Sequence, residues 1–227
     1  MTYVLSDPHA EFDLFIKLLE KIEFSAQDKL IVCGDIIDKG KNSIRLLQYI
    51  KNMPNARCII GNHEHMFLQY YWSLMQESPD DFDAVLLKLQ QYFPYDGAFL
   101  DWEEVDWLET LPYYIEEKDF ICVHAGLPMD AENKILPLAQ AEREQLIYDR
   151  RFKDPNVLPN SDKCVFFGHT PTSYIGNETK ILTYRKRESS PSSVRDFQKV
   201  HLDLGTWLCG KLGCFCVETC ETHYVEK

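Results

Sequence analysis

Polar residues interrupt this chain at short intervals, each at the end of an apolar run. Continuous apolar runs cover 3–6, 30–34, 58–61, 120–124 and 165–168. Runs without polar alternation predict strands covered on both faces. Between them the period changes. Phe12, Phe15, Leu18, Leu19 and Ile22 fall at helical spacing, as do Ile44, Leu47 and Ile50. The stretch 66–111 has no strong strand signal. Its stripes Phe82, Val85, Leu86, Leu89 and Trp102, Val105, Leu108, punctuated by Pro79, Pro94 and Gly97, predict two or three helices. These helices read as a cap over a site rather than a separate domain. After His169 the chain turns strand-rich, at 181–184, 200–204 and 212–217. The segment 185–195 is rich in Arg, Lys, Ser and Pro without periodicity, and is expected to be an exposed, mobile loop. Strands alternating with helices predict an α/β fold. The polar stops then fall at the carboxyl ends of strands, where such sheets build their sites.

At 227 residues the chain is long enough for one large domain with a sizeable core. Its formal net charge of −12 argues against nonspecific nucleic-acid binding and against docking on an anionic membrane. The same charge would repel a phosphate substrate, unless bound cations reverse the sign locally. No stretch has the apolar length needed to span a bilayer. The first residues, Met1-Thr2-Tyr3-Val4-Leu5, lack the basic region of a cleaved signal. Cys33, Cys58, Cys122 and Cys164 sit inside apolar runs and read as buried reduced thiols. A cytoplasmic location is the expectation that follows.

The stops themselves carry chemistry. In order they are Ser6-Asp7-Pro8-His9, Gly34-Asp35-Ile36-Ile37-Asp38-Lys39-Gly40, Gly61-Asn62-His63-Glu64, His124-Ala125-Gly126 and Gly168-His169-Thr170. Each alone is weak, since a Gly-Asp pair is most often a turn. Together they offer carboxylate, amide and imidazole donors, a mixture that suits Mn, Fe or Zn. Paired divalent ions are a common apparatus for attacking a phosphate ester.

In that order the motifs resemble the metallophosphoesterase superfamily. Their shapes, with Gly168-His169-Thr170-Pro171, look like its bacterial and phage phosphoprotein phosphatase branch. Leu202-Asp203-Leu204-Gly205 and Gly210-Lys211-Leu212 resemble the family's closing strands. The resemblance implies a single calcineurin-like domain over 1–227, with the helical cap at about 66–111. Its fold would be the metallo-dependent phosphatase sandwich, two central β-sheets flanked by helices. It implies two divalent ions, with Mn expected and Fe, Zn or Ni as alternatives. Asp7, His9 and Asp35 would hold the first. Asp35 would bridge to the second, held also by Asn62, His124 and His169. His63, paired with Asp38, would be the general acid at the leaving group. Asp38 could instead only cap the helix expected near Asn42. Arg150 and Lys39 would grip the phosphate, with Arg151 an alternative to Arg150.

The implied function is hydrolysis of a phosphomonoester by direct attack of metal-bound hydroxide. The expected substrate is phosphoserine or phosphothreonine in protein, or else a small phosphoester. The alternatives are a dinucleoside tetraphosphate hydrolase and a noncatalytic phosphate-binding protein. Three positions depart from the family pattern. Lys39 stands where arginine is usual, Ala10 where glycine is usual, and Pro8 separates the first two ligands. Cys209, Cys214, Cys216 and Cys220 lack paired knuckle spacing and read as small core residues rather than a zinc site. Glu64, Asp13 and His65 read as supporting or helical residues, and His201 and His223 as ordinary strand positions.

Overall fold

Val4 points to one side of its strand and Tyr3 and Leu5 to the other, yet all are buried. That is the signature of a sheet covered on both faces. The computed structural model describes residues 1–159, 161–188 and 190–227. Its strands are β1 (Thr2–Leu5), β2 (Lys29–Val32), β3 (Ala56–Cys58), β4 (Tyr114–Glu116), β5 (Phe120–Val123), β6 (Cys164–Phe167), β7 (Leu182–Arg185), β8 (Phe197–His201), β9 (Lys211–Cys216) and β10 (Thr222–Glu226). They form two sheets, ordered β10-β9-β1-β2-β3 and β4-β5-β6-β8-β7. The pairings β1–β2, β2–β3, β5–β6 and β6–β8 are parallel, and β1–β9, β9–β10, β4–β5 and β7–β8 are antiparallel. The expected α/β sandwich of two central sheets flanked by helices is therefore the observed fold.

The sheets meet face to face through Val4, Ile31 and Phe215 on one side and Phe166, Phe197 and Val200 on the other. Phe215 packs against Phe166 and Phe197 at centroid distances of 5.3 and 5.5 Å. On the outer face of the first sheet lie α1 (Phe12–Lys21) and α2 (Ser43–Lys51), whose apolar stripes are buried as their spacing predicts. Next come α3 (Asn62–Glu77), α4 (Phe82–Gln91) and α5 (Trp102–Thr110), the helices expected within 66–111. Phe82 departs from its stripe. It is 53% exposed while Val85 and Leu89 are buried, because it opens α4 and packs only edge-on to Trp102. The short helices α6 (Arg143–Tyr148), α7 (Ser173–Gly176) and α8 (Thr206–Cys209) follow.

Two strands escaped the sequence reading. β4 exposes Tyr114 and Glu116 around Ile115, and β10 is similarly polar, as edge strands often are. Strand ends also shifted. Beyond β3, Ile60 donates to Pro112 O at 2.9 Å, so the apolar run 58–61 leaves the ladder. Beyond β8, Leu202 and Leu204 are buried without being strand. Of the loop expected at 185–195, Arg185 ends β7 and Val194 is buried in a short 3₁₀ turn. Ser189 lies outside the described residues. Cys214 and Cys216 share the face under α1, whereas Cys209 is exposed and not a core residue. Among the described residues no helix is long and apolar enough to cross a membrane.

Candidate active site

Each strand end turns sharply. Asp7, His9, Asp35 and His169 have φ of 53, 44, 55 and 68°. Left-handed backbone at non-glycine residues costs free energy and collects at functional sites. Ala10, with φ 57°, shows that the usual glycine can be replaced here, and its methyl is fully buried. The loop after β1 zips onto the loop after β2. His9 N donates to Asp35 O at 2.9 Å and Ala10 N to Ile36 O at 2.7 Å. Gly34 is the close-approach point: a Cβ there would lie 2.6 Å from Gly61 backbone. The buried Glu64 carboxylate locks both loops. It accepts from the amides of Asp35, Ile36, Ile37 and Gly61 at 2.8–3.1 Å.

These turns gather Asp7, His9, Asp35, Asn62, His124 and His169 into one buried cluster. Asp7, His9, Asp35 and Asn62 follow strands of the first sheet; His124 and His169 follow strands of the second. His124 Nδ1 must donate to the Cys33 carbonyl at 2.8 Å, since a carbonyl only accepts. Its Nε2 lone pair then faces Asn62 Oδ1 at 3.0 Å and Asp35 Oδ1 at 3.4 Å. His9 repeats the pattern. Nδ1 donates to Ile37 O at 3.2 Å, and Nε2 faces Asp35 Oδ2 at 3.5 Å and Asp7 Oδ1 at 3.9 Å. The ring lone pairs thus converge on carboxylate and amide oxygens in a buried site, an arrangement that suits a cation, while His169 Nδ1 lies 2.7 Å from Asn62 Oδ1 and 3.2 Å from His124 Nε2. His169 Nε2 is also buried with no partner among the described residues. Donor atoms of His9, Asp35 and His63, and of Asp35, His124 and His169, form two groups within 4.8 Å. Asp35 belongs to both. His63 enters the first group in place of Asp7, whose carboxylate also accepts from the Ser6 hydroxyl and the His169 amide.

Burial pushes the Asp7 carboxyl well up, aided by repulsion from Asp203 and Asp35. Burial raises Asp35 to about 8. Burial lowers His9 and His124 to about 3 and His169 to about 2. Buried carboxyls and neutral imidazoles together form a donor set in need of positive charge.

His63 Nδ1 meets Asp38 Oδ2 at 2.8 Å. Burial opposes its protonation, but that bond and the charges of Asp35, Glu64 and Asp38 raise its pKa overall. Asp38 does not cap α2: that helix has Asn42 at its N-cap, without a side-chain bond. Burial foremost, and then the charge of Asp38, pushes the Tyr92 hydroxyl to about 12.

Arg150 is exposed and donates from Nη1 to Thr170 Oγ1 at 3.0 Å, one residue past His169. Arg151 is committed elsewhere. Its fork holds Asp149, and its remaining N–H groups reach Met129 O, Asp130 O and Asn133 Oδ1. Lys39 is exposed, with Nζ 5.2 Å over the Trp207 ring. His65 is an internal helix residue, with Nδ1 3.1 Å from Tyr148 Oη.

One acidic residue escaped the sequence reading. Asp203, just past β8, is 2% exposed and accepts from Gly205 N at 2.7 Å. Burial raises it to about 7. The signal was present, because it follows a parallel strand as Asp7 and Asp35 do. His201 is the strand position expected, at the end of β8. It is fully buried, stacked on Phe167 at 4.3 Å, with Nε2 2.7 Å from Thr170 O.

The sequence pattern of the calcineurin-like phosphoesterases matches residues 2–210. The symmetrical bis(5'-nucleosyl)-tetraphosphatase of Aggregatibacter actinomycetemcomitans is 32% identical over 133 residues, 57% of this chain and 45% of that protein. Its counterpart in Haemophilus influenzae (strain PittEE) is 29% identical over 151 residues, 64% of this chain and 51% of that protein. The chain spans about half the length of the curated relatives it matches. A structure described as a candidate diadenosine tetraphosphatase superposes with a TM-score of 0.71 at 17% identity, covering 99% of this chain and 92% of that one. A serine/threonine phosphatase of Saccharomyces cerevisiae gives 0.54 at 13%, covering 100% and 79%. At such identities the superpositions speak for the fold alone. The sequence relatives lie toward tetraphosphatases, not toward the phosphoprotein phosphatase branch that the motif shapes suggested. With its motifs gathered in one cluster and the family pattern spanning 2–210, the chain belongs to the calcineurin-like phosphoesterase family.

Proposed function

We propose that the protein is a metal-dependent hydrolase of dinucleoside tetraphosphates. The observation that carries phosphoester hydrolysis is Asp35, shared by two donor groups, one of which includes His63 of the His63–Asp38 pair. The tetraphosphatase names of the curated relatives support the substrate class. Asp7, His9 and Asp35 hold one divalent ion; Asp35, Asn62, His124 and His169 hold the other, with Mn the expected metal. When bound, the ions supply Lewis acidity and acidify water near neutral pH. In the overall reaction water gives its oxygen to one phosphorus and the bridging oxygen leaves with the other. Cleavage at the central bridge yields two nucleoside diphosphates.

The side chains divide the remaining work. Asp38 fixes the His63 ring, so Nε2 is the nitrogen free to give a proton to the departing oxygen. Arg150 presents a planar fork to nonreacting phosphate oxygens, and Lys39 adds a point charge. The phosphoserine or phosphothreonine reading rests on motif shape alone. A substrate panel with Mn tests the proposal: a dinucleoside tetraphosphate, a phosphoserine peptide and an aryl phosphate. The dinucleotide should give the highest kcat/KM. A phosphopeptide preferred over it would reverse the assignment.

A further inference from the structure

A pocket of about 500 Å³ opens beside the ligand cluster, lined in part by Arg150, Arg151, Lys153, Asp154, Tyr174 and Ile175. Its volume falls within the ~300–1,000 Å³ usual for small-molecule sites. Arg150 is the wall it shares with the cluster, through Thr170 beside His169. The lining is locally basic in a chain of net charge −12. Arg151 is spent on Asp149, but Lys153 forms no ion pair among the described residues. Asp154 Oδ1 already accepts from Asn156. Tyr174 is 66% exposed, so its ring is not held by the core. Its backbone is fixed nonetheless, with N donating to Pro171 O at 3.0 Å just past the ligand loop.

The 153–157 segment of the lining is pinned by a buried lysine. Lys199, fully buried in β8, donates to the carbonyls of Phe152, Asp154 and Val157 at 2.8, 2.7 and 2.6 Å. The pocket is therefore a firm basic recess, next to the phosphate end of the site, with an exposed aromatic ring at its edge.

We infer that this recess takes one nucleoside arm of the substrate. The base stacks on Tyr174, and Lys153 pairs with a phosphate lying between that arm and the cleaved bridge. The inference rests on the dinucleotide reading above. Stacking on an aromatic ring tolerates any base, so recognition here is for a nucleotide rather than for adenine.

The test compares Tyr174→Ala, Tyr174→Phe and Lys153→Ala with the wild type in Mn. The ratio of kcat/KM for a dinucleoside tetraphosphate to that for an aryl phosphate should fall about tenfold in Tyr174→Ala, mainly through KM. Tyr174→Phe should keep the wild-type ratio, and Lys153→Ala should lower it. Calorimetry with ADP should show binding to the wild type that weakens in Tyr174→Ala. An unchanged ratio, or equal ADP affinity in wild type and Tyr174→Ala, overturns the inference. A wild type that cleaves aryl phosphate but not the dinucleotide overturns the functional reading instead. ADP calorimetry then judges the pocket by itself.

Discussion

The Glu64 carboxylate holds Asp35 through the backbone, with Oε2 accepting the Asp35 amide at 2.8 Å. The residue after the Gly-Asn-His motif thus aims the carboxylate that both donor groups share. In Glu64→Gln, an NH₂ group replaces one acceptor and faces backbone donors. Metal affinity should drop about 10–100-fold, as for residues that orient ligands. Calorimetric titration with Mn measures this; wild-type affinity would mean the loops are held without Glu64.

Asp35→Asn should be the most damaging change among the ligands. Asp35 is the only member common to both donor groups, so losing its charge weakens both. Metal analysis should find less than the wild-type content, and turnover should collapse. Asp7→Asn should leave more of the metal in place. A variant Asp35→Asn with full metal and turnover would remove Asp35 from its bridging role.

His63→Asn and Asp38→Asn should lower turnover together, since one fixes the ring of the other at 2.8 Å. Loss of a general acid costs roughly 10²–10⁴-fold. Alkyl phosphates should suffer more than aryl phosphates, whose leaving oxygens need little help. Diphosphate leaving groups should also suffer less than alkoxides. Equal losses on alkyl and aryl esters would speak against proton donation. Loss of metal in His63→Asn would make it a ligand, as its place in the first donor group allows.

The two adjacent arginines should separate cleanly. Arg150→Ala should weaken transition-state binding by about 1.5–3 kcal/mol, the usual scale for charged hydrogen bonds. Arg151→Ala should lower the melting temperature instead, because its fork ties Asp149 to the 129–133 loop. Lys39→Ala should cost less than Arg150→Ala, and Lys39→Arg should be tolerated. Values of kcat/KM alongside thermal melts for these variants distinguish the outcomes.

Metal-free protein should lose stability between about pH 6.5 and 8. Asp35 and Asp203 have an ordinary value of 3.8 but in the fold hold their protons to about 8 and 7. A carboxyl raised by folding contributes stability that is lost as pH climbs from the ordinary to the raised value. His9, His124 and His201, lowered from 6.5 to about 3, act oppositely, but their contribution is complete above 6.5. Beyond that point the carboxyl effect remains, and His63, whose protonation burial opposes but which Asp38 and its other acidic neighbours raise above 6.5, acts in the same direction. Thermal melts in chelator should therefore fall from pH 6.5 to 8, and the rise on adding Mn should be larger at pH 8. A melting temperature that climbs over that window without metal would contradict this balance.

The central strands were legible because they are buried on both faces, which leaves an unbroken apolar run. β4 escaped because Tyr114 and Glu116 face water and leave only Ile115 as a signal. The donors of the cluster were legible because each sits in a short motif at a strand end. Asp203 was hidden by its flanking leucines, which make it look like a strand alternation. Lys199 gave no warning, since a lysine in a strand normally reads as a solvent-facing position. The Tyr174 recess draws on segments near 150–157 and 174–175, and no local pattern announces that they meet.

The proposed ligands come from both sheets, and this would make bound metal a gauge of how the two layers sit against each other. Asp7 and Asp35 ride on β1 and β2, while His124 and His169 ride on β5 and β6. A substitution deep in the interface, such as Phe215→Ala between Phe166 and Phe197, touches no donor atom. It still loosens the layers, and a small slip of one sheet would split Asp35 from His124, now 3.4 Å apart. With these ligands, metal content would report on packing damage remote from the chemistry, and added metal would rescue chains whose layers fit poorly.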